Sequence, residues 1–166
     1  MIIGLHDADK DPYIREGKRR RQKVEFPNYA LMKISAFHKS RGDTVEWWSP
    51  MLTDRFDKIY SSKVFDFTEE NPYLPDWAIR GGTGYTDIPL NQELDPEIDA
   101  AFPDYSIYPA CDYAIGFLTR GCPNRCRWCV VPQKEGPVRP YRAWKDIARP
   151  DSRKLVLMDN NILPCE

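Results

Sequence analysis

Histidine is nearly missing from this chain of 166 residues: only His6 and His38 occur. A site built on several imidazoles is therefore excluded. His38 lies at helical spacing from Leu31 and Ile34 and reads as packed against a sheet, while His6 fits either a core or a ligand role. No apolar run approaches membrane length, and MIIGLHDAD turns acidic too soon for a secretory signal. A cytoplasmic protein with no membrane partner is the expectation. Charge of one sign is lacking too, with 24 Lys and Arg against 25 Asp and Glu. A net charge of −1 supplies no overall field for nucleic acid, so such a partner would need a local patch. The glycine run GGTGY, residues 81–85, lacks the GxGxxG order of a dinucleotide loop and reads as a tight turn.

What is present describes a folded protein. Apolar residues make up 42% and charged residues 30%, with five Trp and nine Tyr, enough for a core. Residues 1–6 have strand character, and residues 27–41 carry Ala30, Leu31, Ile34 and Phe37 at helical spacing before Gly42. Strand candidates follow at 44–48, 58–62 and 77–80, with a short helix at 50–56. Such alternation implies a parallel sheet, so residues 1–105 are expected to form a Rossmann-like α/β domain. Residues 9–25 are too polar for a core element and include KRRRQK at 18–23, which reads as a solvated loop unless it contacts phosphate or nucleic acid. Residues 92–109 are acidic and proline-dotted, as a connection between domains would be. Beyond it, strands at 113–119 and 154–158 and a helix at 141–148 predict a strand, loop, helix, strand unit.

Five cysteines are present, and three fall in the eight residues CPNRCRWC: Cys122, Cys126 and Cys129. They are too close together for an ordinary disulfide framework, so a reducing compartment and a metal centre explain them better. Cys111 and Cys165 read as plain reduced thiols. Structural zinc wants four ligands, usually from two separated halves, and no second half exists here. Iron–sulfur clusters are held by thiolates in tight runs, and three thiolates on a cubane leave one iron open. Arg125 and Arg127 would help offset the negative charge of such a centre.

CxxxCxxC with Trp128 just before the third cysteine, on the loop after a strand and ahead of a second strand ending in DNN, resembles the radical S-adenosylmethionine superfamily. The resemblance covers about the last third of the chain, residues 106–166, and identifies it with the opening βαβ unit of a partial TIM-like barrel. It implies a 4Fe-4S cluster on Cys122, Cys126 and Cys129, with S-adenosyl-L-methionine chelated to the open iron. Reductive cleavage of the sulfonium would give a deoxyadenosyl radical that acts on a substrate. Trp128 would pack near the adenine, and Asp159, Asn160 and Asn161 would meet the methionyl amino group. An electron donor such as a flavodoxin or a ferredoxin is implied as partner. Residues 1–105 are similar to the cobalamin-binding-like domain that precedes many such barrels, although GLHDAD stands where DxHxxG would be expected. With 166 residues against roughly 250 for a full barrel, the chain is expected to be the front part of such an enzyme. An uncovered second strand would then favour a homodimer. The competing readings are a structural zinc site with Cys111 or Cys165 as fourth ligand, and a relic without turnover.

Overall fold

Ile2, Ile3 and Leu5 open the chain as a β-prone apolar run, and in the computed structural model, which describes residues 1–13 and 26–163, they form strand β1 (Ile2–Asp7). The basic run at 18–23 and Cys165 lie outside the described residues. A 3₁₀ turn (Ala8–Lys10) follows β1, and further on come helix α1 (Tyr29–Ser40), strands β2 (Thr44–Trp47) and β3 (Lys58–Ser62), strand β4 (Ile79–Gly81) and helix α2 (Pro96–Ala100). All four strands are parallel, in the order β2-β1-β3-β4. The chain is thus of mixed α/β class. It divides into two compact units, Met1–Tyr108 and Pro109–Glu166.

β1 is central in its sheet and almost wholly buried, so both of its faces must be covered. Ile3 and Leu5 pack with Leu31 and Ile34 of α1 and with Ile98 of α2. Burying each such side chain contributes roughly 1.5–3 kcal/mol. On the second face, Trp48, Phe56, Ile59 and Ala78 form another cluster. Asn28 caps α1 by accepting from Leu31 N at 3.2 Å, and its Nδ2 donates to Ser62 Oγ at 2.8 Å, which ties the helix start to the end of β3. His38 is buried between α1 and β3, its Nδ1 2.7 Å from Asp43 Oδ2 and its Nε2 3.1 Å from Tyr60 Oη. GGTGY is a turn: Gly82 takes φ +103°, and a Cβ there would lie 2.3 Å from the Lys63 carbonyl oxygen. Among the described residues no helix is long and apolar enough to cross a membrane.

Asp104 fastens the connection after α2 to α1. It accepts from Ser35 Oγ and Lys39 Nζ, both at 2.6 Å, and from Ser106 N at 2.9 Å. Burial opposes its ionisation, but the bonds from Lys39, Ser106 and Ser35 outweigh that and bring its pKa down to about 2. A depressed carboxylate contributes stability that is complete above its unfolded value of 3.8 and is lost as pH falls through about 2. Because Lys39 is partly exposed, the share is about 1–2 kcal/mol after screening. Urea midpoints of the native chain and Asp104→Asn should therefore differ at pH 6 and converge between pH 4 and 2. A gap independent of pH would mean that the charge of Asp104 is not its source.

The second unit is lean. Strand β5 (Ala114–Gly116) pairs in parallel with β8 (Leu155–Leu157), Ile115 opposite Val156. Strand β6 (Thr119–Arg120) pairs antiparallel with β7 (Arg139–Pro140), and a single-turn helix α3 (Val131–Lys134) lies between them. Among its described residues Cys111, Ala114, Ile115 and Ile147 are the buried apolar ones, while Val156 and Leu157 stay more than a third exposed. Two expectations change here. The strand read at 113–119 breaks after Gly116, because Asp159 rather than a neighbouring strand takes the amides of Leu118 and Thr119. The helix read at 141–148 shrinks to a 3₁₀ turn at Trp144–Asp146. Nine residues between Pro140 and Pro150 cannot offset helix nucleation.

Candidate metal centre

The cysteine loop begins at Gly121, directly after β6. Its φ is +80°, and a Cβ there would lie 2.2 Å from the Pro137 oxygen and 2.7 Å from that of Gly136. Only glycine fits. Gly121 N donates to Glu135 Oε2 at 2.8 Å, and Cys122 N donates to the Gly136 carbonyl at 3.2 Å. The start of the loop is thereby stitched to the segment that leaves α3. Cys129 N donates to the Cys126 carbonyl at 3.0 Å, so the last four residues of the motif form one turn. Val130 O then accepts from Gln133 N and Lys134 N and starts α3.

Cys122 and Cys129 are partly buried and Cys126 is exposed, all three as free thiols. Trp128 is 90% exposed, and Arg125 and Arg127 are exposed beside it. Among the described residues no three His, Cys, Asp or Glu side chains converge as a ligand set. The donor chemistry fits a thiolate-held cluster, three sulfurs on one short loop whose base is fixed. The loop carries those sulfurs together without drawing them to a common point. Cys111 is buried elsewhere in the unit, its Sγ donating to the Tyr113 carbonyl at 3.3 Å.

Asp159, at the end of β8, accepts from Leu118 N at 3.2 Å and from both Thr119 N and Thr119 Oγ1. Its carboxylate thus joins the ends of β8 and β5 to the start of β6. Asn160 is brought to the same corner, its Nδ2 donating to Glu135 Oε2 at 3.0 Å. Asn161 follows, partly buried. Of the residues singled out after the second strand, Asn160 thus meets the base of the cysteine loop through Glu135. That glutamate was not anticipated. It also lies 3.5 Å from Arg120 Nη1, and the Arg120 guanidinium covers the Phe117 ring at 4.1 Å. Its partners Gly121 and Asn160 are 14 and 25 residues away, so no local pattern marks it. Next to it, burial lowers the Lys134 pKa, with the Glu135 charge opposing and the Arg120 charge assisting.

No family model, curated protein or solved structure matches this chain.

Proposed function

We propose that the chain is a radical S-adenosylmethionine iron–sulfur protein. In this reading Met1–Tyr108 is a Rossmann-like, cobalamin-binding-like domain and Pro109–Glu166 opens the barrel. The observation that carries it is the CxxxCxxC loop, which starts directly behind β6, five residues after the end of the parallel strand β5, and is locked at its base by Gly121 and Glu135. Sites in parallel α/β units lie at that end of the strands. When bound, the cluster and S-adenosyl-L-methionine supply one-electron cleavage of the sulfonium carbon–sulfur bond, which yields a deoxyadenosyl radical for hydrogen abstraction.

The chain's own residues have narrower tasks. Cys122, Cys126 and Cys129 would each give a thiolate to one iron. Arg125 and Arg127 would moderate the accumulated negative charge, and a flavodoxin or ferredoxin would deliver the electron. Trp128 is proposed to cover the adenine, and Asn160 and Asn161 to meet the methionyl end. Asp159 is proposed there as well, in addition to holding Leu118 and Thr119.

Anaerobic reconstitution tests this reading. The native chain should take up about four iron and four sulfide and develop broad visible absorption. Alanine at Cys122, Cys126 or Cys129 should each abolish stable uptake, because two thiolates do not retain a cubane. Cys111→Ala should leave it intact. Colourless protein holding one tight zinc, or equal loss at Cys111, would replace the radical reading with the structural-zinc one.

A further inference from the structure

The carboxyl ends of β1 and β2 border a cavity of about 460 Å³ within the first unit. That volume suits a small organic molecule. Open parallel sheets bind ligands at this end of their strands. The walls are aromatic, from Tyr13, Trp47, Trp48 and Tyr108. Edge contacts hold them in place: Trp47 meets Tyr108 at a centroid distance of 5.4 Å, and Trp48 meets His6 at 5.0 Å. Trp47 is still 44% exposed, so much of its indole is uncovered.

The floor is polar and bonded together. His6 Nε2 lies 2.7 Å from Asp11 Oδ2 and its Nδ1 2.7 Å from Ser61 Oγ, which is 2.6 Å from Tyr85 Oη. Asn71 Nδ2 donates to the same Asp11 oxygen at 2.7 Å. The other Asp11 oxygen accepts from Tyr13 N at 2.7 Å, and Tyr13 Oη is 2.9 Å from Ser49 Oγ at the rim. Tyr108 Oη donates to Asp7 Oδ2 at 2.7 Å. A buried chain of this length fixes the cavity before anything enters it.

Charge narrows the occupant. The Lys10 ammonium lies 3.2 Å from Asp7 Oδ2 and 4.3 Å from the centre of the Tyr108 ring, so an organic cation would meet a positive charge already in the cation's place. An anion would face the carboxylates of Asp7 and Asp11. A pure hydrocarbon would strip water from the Ser49 hydroxyl and the Lys10 ammonium without replacing its hydrogen bonds. A neutral planar ring with polar edges satisfies all three conditions.

We propose that this cavity binds a neutral heteroaromatic molecule of nucleoside type, its ring stacked on Trp47 and its polar edge meeting Ser49 and Lys10. The site lies within Met1–Tyr108 and does not rest on the radical reading. Calorimetric titration of the whole chain with adenosine, guanosine, cytidine and uridine tests it. At least one nucleoside should bind saturably, one per chain. Trp47→Ala should weaken that binding about five- to a hundredfold, the range of base stacking on an aromatic side chain. Trp77→Ala, which removes an exposed indole outside the cavity, should leave it unchanged. No saturable binding of any of the four, binding undiminished in folded Trp47→Ala, or tighter binding of tetramethylammonium or inorganic phosphate would each overturn the proposal.

Discussion

Gly121→Ala is expected to open the second unit around the cysteine loop and to prevent iron retention, while Gly42→Ala does neither. The two glycines share a backbone conformation, φ +80° and +81°, but not their surroundings. Nothing lies within 4 Å of a Cβ built at Gly42, so alanine there costs only the left-handed penalty of about 1–2 kcal/mol. At Gly121 the same methyl would lie 2.2 Å from the Pro137 oxygen, and no flexible side chain is available to yield. The backbone of β6 or of residues 136–137 must move instead. That pairing is only two residues long, Thr119 with Pro140 and Arg120 with Arg139. A cost of at least about 3 kcal/mol follows for a unit with so small a core. Limited proteolysis mapped by mass spectrometry should show cleavage within residues 118–142 for Gly121→Ala alone. Equal behaviour of the two variants would show that the Pro137 contact is not tight.

Asp99→Ala should be nearly as damaging in the first unit, for an electrostatic reason. Lys33 is 2% exposed in the middle of α1, and its ammonium donates to Asp99 Oδ1 at 2.8 Å and to the Asp99 carbonyl. Removing the carboxylate leaves a buried cation beside a carbonyl and the Tyr29 ring, 5.0 Å away. Breaking a buried pair from one side costs about 3–5 kcal/mol. The double variant Lys33→Met with Asp99→Ala should regain most of this, since methionine keeps the apolar stem and carries no charge. Chemical denaturation followed by far-ultraviolet circular dichroism reads both. A loss below about 1 kcal/mol in Asp99→Ala would mean that Lys33 reaches water by another route.

The elements that could be read from the chain are those whose cause is local. Ile2 to Leu5, the Leu31 and Ile34 stripe, and KIYSS at 58–62 each carry their own period, and β1, α1 and β3 lie there. Parallel pairing followed from their alternation. The helix read at 141–148 does not form because its apolar residues make no common buried face: Trp144 is 60% exposed and Ile147 alone enters the core. The cysteines were singled out through spacing alone, and the fold sets them on one loop without drawing them to a common point. Glu135, the clasp formed by Asp159 and the chain running from Asn71 to Tyr85 were not, because each joins residues that only the folded topology brings together. A hydrogen bond across 40 residues leaves no periodic trace.

The β5–β8 pair also sets an order of assembly. Ala114 meets Leu155, a separation of 155 − 114 = 41 residues, whereas Thr119 meets Pro140 after 140 − 119 = 21. Loop-closure entropy rises by about 0.6 kcal/mol per doubling of length, so the β6–β7 hairpin is favoured roughly threefold to close before the parallel pair. All three cysteines lie inside that shorter loop. The thiol loop is thus delimited first in most molecules, and the parallel pair then closes on a loop whose ends already lie together.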